Sequence, residues 1–335
     1  ARARRCTRSR FGRTMTSARP RIAVVGAGIS GLATALALTD TDNVDVTVFE
    51  ATERAGGKIA TSPFAGVEGV DEGPDAFLAR APEAVALAHR VGLGDDLVSP
   101  EPVGAAVWHG ELHAIPEGLM LGLPGRLRPL ATTKLLSWRG KARAAFEPLL
   151  PRTSTDADSI GTFVRARLGN EVHERLVDSL VGSIYAADTD RFSLAEVPQL
   201  AVLANGNRSI LLAARRQRRT QAGTATAASS PVFATPRGGI GALVRATTDA
   251  VVSAGGRFHT GTSVTSITPT ADGRWLLDVN IEGGVEPLGG TATPNDTVFD
   301  SVVFATAAAV TAEMLAAAAP DAARSLSVAE TADVI

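Results

Sequence analysis

The sequence predicts an α/β fold with a mainly helical insertion, and three observations support this prediction. A short apolar run at residues 22–25 ends in a glycine-rich turn and is followed by a helical pattern. Residues 130–212 carry a mainly helical pattern. Strand and helix patterns then return after residue 231. Since alternating strands and helices are typical of a sheet covered by helices, the helical block is interpreted as an insertion into such a domain.

The first turn has the spacing Gly26-x-Gly28-x-x-Gly31 between a strand and a helix. Gly26 permits the tight turn, Gly28 lets the backbone approach a pyrophosphate, and Gly31 lets the helix pack closely on the strand. The free N–H groups and the positive dipole at the helix N-terminus favour phosphate. We therefore expect phosphates along the whole turn, which also contains Ala27, Ile29 and Ser30.

A second β-branched run, Val46–Phe49, ends at Glu50. An acid about 20 residues after the glycine turn can accept hydrogen bonds from an adenosine ribose. Strand, turn, helix and acid together predict a Rossmann-like, dinucleotide-binding domain. A glycine-rich turn with only a structural role is the alternative, and the surrounding elements disfavour it.

The segment after Glu50 contains a further pair of glycines that would let the backbone come close to a ligand. Gly56 and Gly57 lie between two cations, Arg54 and Lys58, which place positive charge beside a ligand. An ordinary turn explains the glycine pair equally well. Further on, Gly73-Pro74 is a strong break in the chain, and a helix is predicted to begin near Pro82.

Residues 103–115 predict a hairpin whose turn is His109-Gly110-Glu111. The loop from Pro116 to Pro124 is apolar and contains glycines. It could form a flat wall for a ligand, a lip that faces a membrane, or part of the buried core. The pattern alone favours the core. Helices are predicted around three ranges, 135–149, 159–168 and 170–184.

Residues 215–230, RRQRRTQAGTATAASS, are polar and low in complexity, so a solvated, mobile loop is predicted there. Its four arginines could contact anionic lipid or nucleic acid, although a lone basic loop usually does neither. A helix at 242–254 and strands at 263–268, 275–279 and 299–305 follow. The predicted organisation is a tail at 1–20, a nucleotide-binding domain at 21–102 and 231–335, and the insertion at 103–230.

Composition excludes several classes of protein. A chain of 335 residues that is 45% hydrophobic can bury a large core, and its net charge of −2 argues against a nucleic-acid surface. Cys6 is the only cysteine, so no disulfide framework is expected. The five histidines lack convincing ligand spacing, and no metal site is predicted. No run of 18 apolar residues suggests a membrane span.

The N-terminal residues 1–14 contain six arginines and no acid. Such a stretch suits a transit peptide. The favoured interpretation is that the protein begins at Met15 and that the preceding residues are translated from upstream sequence. We expect a cytoplasmic protein, with contact to a membrane surface left open.

Several motifs together resemble the HemY-type protoporphyrinogen and coproporphyrinogen oxidases, FAD enzymes of the monoamine-oxidase superfamily. The superfamily portion is VVGAGISGL followed by E-x-x-x-R-x-GGK. The specific portion comprises GPDAF at Gly73–Phe77, IPEGLMLGLP at Ile115–Pro124, LSWRGKARAAFEPLLPR at Leu136–Arg152 and LVGSIYAADTDRFSL at Leu180–Leu194.

This resemblance implies that the dinucleotide is FAD and assigns residues to it. Gly26, Gly28 and Gly31 would hold the pyrophosphate, Glu50 the ribose, and Val264 would meet the adenine. The remaining assignments follow the cofactor towards the flavin: Ala51, Arg54, Gly57, Lys58, Gly73, Pro74, Asp75 and Ala76. The substrate pocket would be lined by Met120, Leu121, Ile184 and Tyr185, with Arg or Lys for the propionates; no catalytic acid or base is assigned.

The implied reaction removes hydrides from the methylene bridges of a porphyrinogen, with oxygen as the final acceptor, in haem biosynthesis. Coproporphyrinogen III is the favoured substrate and protoporphyrinogen IX the alternative. Handover of the porphyrin to a haem-pathway chelatase is a further implication. The rivals are an amine oxidase or desaturase of the same superfamily, and an inactive flavin- or porphyrin-binding module.

The chain departs from the family pattern in two ways. Ser183 and Ala187 stand where the family tends to have glycine, and both are small. The family also continues beyond the position of Ile335 with a glycine-bearing segment that completes the flavin site. The chain is therefore expected to be a fragment.

Overall fold

A computed structural model of the chain describes residues 19–41, 43–79, 81–101, 105–120, 122–151, 159–185, 187–204, 207–224, 233–281 and 297–329. The chain forms two compact units. Unit 1 combines the chain up to Pro100 with Pro231–Glu330, and unit 2 combines Glu101–Ser230 with Thr331–Ile335, of which the last five residues lie outside the described part of the chain.

The first segment of unit 1 begins with a strand because Ala23, Val24 and Val25 are apolar and fully or almost fully buried. Gly26 ends the strand in a left-handed conformation, with φ of +100°. The elements of this segment are β1 (Arg21–Val25), α1 (Ile29–Thr39), β2 (Asp45–Phe49), β3 (Thr61–Phe64), β4 (Val67–Asp71), β5 (Phe77–Leu78), α2 (Pro82–Arg90), a 3-10 turn (Gly94–Asp96) and β6 (Leu97–Val98).

Unit 2 opens with the predicted hairpin, whose turn is at Gly110, and is then mainly helical. Its elements are β7 (Ala106–His109), β8 (Glu111–Ala114), β9 (Leu119–Met120), β10 (Leu123–Pro124), α3 (Leu127–Thr132), α4 (Trp138–Ala145), a 3-10 turn (Glu147–Leu149), α5 (Ile160–Leu168), α6 (Asn170–Val172), a π-helix (His173–Gly182), α7 (Ser183–Tyr185), a 3-10 turn (Leu194–Glu196), α8 (Pro198–Ala204) and α9 (Ile210–Thr224).

The second segment of unit 1 restores the alternation of strands and helices. It comprises β11 (Phe233–Pro236), α10 (Gly241–Ser253), β12 (Arg257–His259), β13 (Thr262–Pro269), β14 (Trp275–Ile281), β15 (Val298–Phe299), β16 (Ser301–Phe304), α11 (Ala308–Leu315) and α12 (Pro320–Ser327).

The central sheet of unit 1 is parallel and has the order β12-β2-β1-β16. One face of β1 and β2 packs on α1 and α10 through Val24, Leu32, Leu36, Val48 and Val251. The opposite face packs on β13, β14 and α11 in a second buried cluster. Because both faces of the sheet are covered, β1 and β2 have continuous runs of apolar residues. The predicted α/β class is confirmed.

The core of unit 2 contains a buried ion pair. Arg167 and Glu147 are 2% and 0% exposed, and the guanidinium donates from Nε to the Glu147 carboxylate at 2.9 Å. The same carboxylate accepts from the Ser209 hydroxyl at 2.5 Å and from the Ile210 amide at 3.0 Å. A buried charge needs hydrogen-bond partners, and Glu147 finds two of them at Ser209 and Ile210, where α9 begins. These bonds fix the start of that helix.

The prediction of a mobile loop at 215–230 is wrong for residues 215–224, which continue α9. Arg, Gln and Ala all have high helix propensity, and the only glycine of that stretch comes near its end. Ser209 caps the helix by accepting from the Leu212 amide at 3.1 Å. Residues 225–230 lie outside the described part of the chain.

The loop before α3 is part of the core, as its pattern indicates. Leu123 is 2% exposed and belongs to the main cluster of unit 2. Gly122 has φ of +80° and seats the β9–β10 hairpin against the π-helix, since a Cβ there would lie 2.5 Å from the Val177 Cα.

Candidate functional site

The glycine turn of unit 1 is shaped by close backbone contacts. A Cβ on Gly31 would lie 1.9 Å from the carbonyl oxygen of Gly26, so only glycine lets α1 start this close to β1. A Cβ on Gly26 would lie 2.9 Å from the Ala305 carbonyl oxygen. Gly28 differs, since a Cβ there would meet no described atom within 4 Å. The turn thus has two packing glycines and one glycine on an open face.

The start of α1 presents unpaired amides to that open face. The first backbone donor of the helix is Leu32, which bonds the Gly28 carbonyl at 2.9 Å. The preceding N–H groups of Ile29, Ser30 and Gly31 have no intrahelical acceptor, as in any helix, and they point out of its N-terminus. No acid lies in the first turn, so the dipole favours an anion here.

Glu50 follows the adjacent strand and is buried, with 9% of its surface exposed. One carboxylate oxygen accepts from the Ala27 amide at 2.8 Å. The other accepts from the amide and hydroxyl of Thr52 at 3.0 and 2.8 Å. The acid therefore holds the glycine turn and the following loop together, and it lies where a ribose bound beside α1 would meet it.

The loop after Glu50 is pinned to the glycine turn. Gly56 pairs with Gly28 in a parallel bridge and donates to the Ala27 carbonyl at 2.8 Å. Gly57 has φ of +58°, and a Cβ there would lie 3.3 Å from the Gly28 Cα. Ala51 and Lys58 are exposed. The structure therefore brings both glycine motifs into contact.

The guanidinium of Arg54 is hydrogen-bonded to the backbone of its own loop. It donates to the carbonyls of Ile59 and Gly57 at 2.9 and 3.0 Å. It thus braces its own loop. It also lines a cavity of about 290 Å³, with the other lining residues being Ala55, Ile59, Ala60, Thr61, Ser62, Glu72, Gly241, Val244 and Arg245.

The Gly73 segment lies beside the same loop. A Cβ on Gly73 would lie 3.1 Å from the Lys58 carbonyl oxygen. Pro74 and Asp75 are exposed, and Ala76 is half-buried. The nearby Asp71 accepts a hydrogen bond from the Ile240 amide at 3.1 Å.

Val264 belongs to β13, close to Glu50. The Thr262 amide donates to the Glu50 carbonyl at 2.8 Å, and Val264 follows two residues later. Its side chain is 7% exposed and packs in the cluster that contains Phe49. The strand has an irregularity in its register between Val264 and Ser266.

Sequence reasoning missed Thr52, Ala305 and Thr306. Thr52 is close to Glu50 in sequence, and its hydroxyl donates to the Glu50 carboxylate at 2.8 Å, so a local signal existed. Ala305 and Thr306 directly follow β16, at the carboxyl edge of the sheet where ligands bind in such folds. Their distance along the chain from Gly26 hides them from any local pattern.

Two of the four residues expected to line a substrate pocket can be placed by their side chains. Ile184 and Tyr185 are 61% and 40% exposed at the end of the π-helix, and Tyr185 lies 5.3 Å from Phe192 between ring centroids. Met120 pairs with Leu123 in the hairpin seated on that helix. Leu121 lies outside the described residues.

Among the described residues, no group of three metal-ligating side chains is present. No described helix is long and apolar enough to cross a lipid bilayer. The features that remain are an open backbone cradle, an anion-favouring helix start and an acid suited to a ribose. These fit a dinucleotide whose diphosphate faces α1.

Comparison with known proteins agrees with this geometry. Residues 29–335 match the family described as flavin containing amine oxidoreductase. The coproporphyrinogen III oxidase of Propionibacterium freudenreichii is 34% identical over 337 residues, which cover 91% of this chain and 60% of that protein. The enzyme of the same name from Staphylococcus aureus is 42% identical over 177 residues, or 52% of this chain and 38% of that protein.

A solved structure from Exiguobacterium sp. 255-15, provisionally named a protoporphyrinogen oxidase, is 27% identical with a TM-score of 0.72. The match covers 90% of this chain and 62% of that one. The chain thus spans less than two thirds of the length of these relatives.

Proposed function

The chain belongs to the flavin-containing amine oxidoreductase family, and on that premise we propose that it oxidises coproporphyrinogen III to coproporphyrin III with FAD and molecular oxygen. The observation that carries the proposal is the 34% identity to a coproporphyrinogen III oxidase, because it extends over 91% of the chain and so includes both units. Protoporphyrinogen IX is the second candidate substrate, favoured by the name of the Exiguobacterium protein.

FAD is the form of flavin that suits unit 1. The pyrophosphate would lie on the amides that begin α1, with Gly28 and Gly57 leaving room for it. Glu50 would accept from the ribose hydroxyls, and the β13 backbone at Val264 would meet the adenine. Lys58 and the 73–76 segment would follow the chain of the cofactor towards its ring.

The chemistry belongs mostly to the cofactor. A bound FAD would supply the redox chemistry, namely acceptance of a hydride from a methylene bridge and reoxidation by oxygen with release of hydrogen peroxide. Three such two-electron rounds aromatise the macrocycle. The residues of this chain bind and orient both molecules and exclude water, which agrees with the absence of an evident acid–base pair among the assigned positions.

We further propose that the protein works in the cytoplasm in contact with a membrane surface and passes its product to a chelatase. Exposed apolar side chains in unit 2 support the membrane contact: Trp138 is 74%, Phe146 60% and Leu149 70% exposed.

The test is an aerobic assay of the purified protein supplied with FAD. Coproporphyrinogen III, protoporphyrinogen IX and an amine such as putrescine are incubated in parallel, and porphyrin fluorescence and peroxide are measured. We expect the highest kcat/KM with coproporphyrinogen III. Oxidation of the amine while both porphyrinogens stay reduced would contradict the proposal. Failure of the purified chain to bind FAD, measured by flavin absorbance after gel filtration, would support the inactive-module rival.

A further inference from the structure

Unit 2 contains a cavity of about 850 Å³ with an unusual concentration of arginine. We propose that it binds the carboxylates of a tetrapyrrole. It is lined by Ala114, Ile115, Pro116, Glu117, Gly125, Arg126, Arg128, Pro129, Thr132, Thr133, Arg215 and Arg219. This inference rests on the proposed function, because it identifies how that function's substrate class is recognised.

The charges in the wall are not balanced. Arg126 pairs with Glu117 at 3.1 Å, which neutralises one of the four guanidinium groups. Within the described part of the chain, Arg128, Arg215 and Arg219 have no acidic partner within 4 Å. The described lining of the cavity therefore carries an excess of three positive charges. Guanidinium groups bind carboxylates through paired, charge-assisted hydrogen bonds, so a ligand with several carboxylates matches this excess.

The remaining wall suits a flat, apolar body. Ile115, Pro116 and Pro129 contribute apolar surface next to the arginines. The volume lies in the range of pockets that hold drug-sized ligands, about 300–1,000 Å³. A small inorganic anion would leave this apolar surface uncovered. A macrocycle with propionate side chains would cover it while its carboxylates reach the cations.

Arg215 and Arg219 are held in place by the buried cluster at the start of α9. Glu147 accepts from the Ile210 and Leu211 amides at 3.0 and 3.4 Å and so fixes the first turn of the helix. The two arginines are four residues apart and therefore lie on one face, one turn above the other. They are exposed, and the cavity places both beside Arg128.

The experiment measures equilibrium binding of coproporphyrin III to the 335-residue chain by porphyrin fluorescence, without FAD. Coproporphyrin III tetramethyl ester is the matched probe, because it keeps the macrocycle and removes the charges. The variants are the double variant Arg215→Gln/Arg219→Gln and the control Arg216→Gln, an exposed arginine of the same helix that does not line this cavity. Circular dichroism checks that α9 persists in each variant.

We expect the wild type to bind the acid more tightly than the ester. The double variant should lose about tenfold in affinity for the acid and nothing for the ester, while Arg216→Gln changes neither. Equal binding of acid and ester by the wild type would overturn the proposal. So would a folded double variant that binds the acid as tightly as the wild type does, or displacement of the porphyrin by inorganic phosphate at equal concentration.

Failure of this inference is separable from failure of the proposed function. Charge-dependent binding of coproporphyrin without oxidation of any porphyrinogen would support the cavity and reject the function. Oxidation of coproporphyrinogen with the same KM in wild type and double variant would support the function and reject the cavity.

Discussion

The carboxylate of Glu50 accepts a 2.8 Å hydrogen bond from the backbone amide of Ala27, inside the glycine turn. Its other oxygen accepts from Thr52. The acid at the end of β2 is therefore a structural part of the phosphate cradle as well as a candidate partner for a ribose. A substitution there should change stability and cofactor affinity together.

We predict that Glu50→Gln lowers the free energy of unfolding by about 1–3 kcal/mol, because the new NH₂ group must face one of the buried donors that the carboxylate now satisfies. FAD affinity should fall as well. Urea denaturation and fluorescence titration with FAD measure the two effects. Glu53→Gln, at an exposed position of the following loop, is the control and should change neither. Wild-type values for Glu50→Gln would show that the acid has neither role.

Two glycines of the turn should separate folding from binding. Gly31→Ala places a methyl group 1.9 Å from the Gly26 carbonyl oxygen, so we expect a loss of about 3 kcal/mol in unfolding free energy. Gly28 has φ of −65° and ψ of 171°, which any residue adopts, and a Cβ there meets no described atom.

Gly28→Ala should therefore unfold within about 0.5 kcal/mol of the wild type and yet bind FAD at least about tenfold more weakly, because the methyl group occupies the space assigned to the pyrophosphate. Thermal denaturation and flavin titration of the same samples give both quantities. Retained FAD affinity in folded Gly28→Ala would place the cofactor elsewhere.

The buried pair of unit 2 should be intolerant of neutralisation. Glu147→Gln leaves Arg167 charged in a site that is 2% exposed, and breaking such a pair costs about 3–5 kcal/mol. The matched control is Asp321→Asn, which breaks the exposed pair with Arg324 and should cost less than about 1 kcal/mol. Denaturant melts compare the two. Equal losses would mean that Glu147 does not anchor unit 2.

His173 should make unit 2 sensitive to acid. Its side chain is 2% exposed, and this burial, aided by the nearby Arg165, lowers its pKa, while Asp178 and Asp190 oppose the shift. The unfolded chain then binds more protons than the folded one. The stability that the neutral His173 contributes is fully present above the pKa of about 6.5 that histidine has in the unfolded chain. It is lost as the pH falls from there through the lower pKa of His173 in the folded protein.

The measurement is the free energy of unfolding between about pH 7 and pH 5. We expect it to fall with pH in the wild type and to fall less steeply in His173→Gln. His89→Gln, at an exposed position of α2, should keep the wild-type slope. An identical slope in all three proteins would exclude His173 as the source.

Local patterns predicted the parts of the fold whose cause is local. The apolar strand before Gly26, the glycine spacing and the acid after β2 each depend on a few consecutive residues, and the α/β class follows from them. Gly26 and Ala305 lie close together in the structure but far apart in sequence. A pattern of neighbouring residues therefore cannot predict their contact. For α9 the local helix propensity of residues 215–224 was a usable signal, whereas the anchor of its first turn, Glu147, is remote in sequence and could not be read from a local pattern.

The π-helix between His173 and Gly182 also escaped prediction. Its residues have ordinary amphipathic spacing, and its wider turn is a tertiary outcome that includes the close seat of Gly122 on Val177. Such segments are often found at functional sites, and this one leads directly to Ile184 and Tyr185. Two of the four expected substrate residues thus directly follow an irregular helix that local propensity does not predict.

In the central sheet of unit 1, β1 lies between β2 and β16. Of these two neighbours, β2 follows β1 closely in sequence, whereas β16 comes near the end of the chain. During synthesis, β2 is available soon after β1, whereas β16 emerges only after all the described residues of unit 2 have left the ribosome. Those residues can begin to fold while β1 is still unpaired on one side. An unpaired strand edge is a template for pairing with another chain, so the sheet of unit 1 is protected on this side of β1 only after β16 has been made.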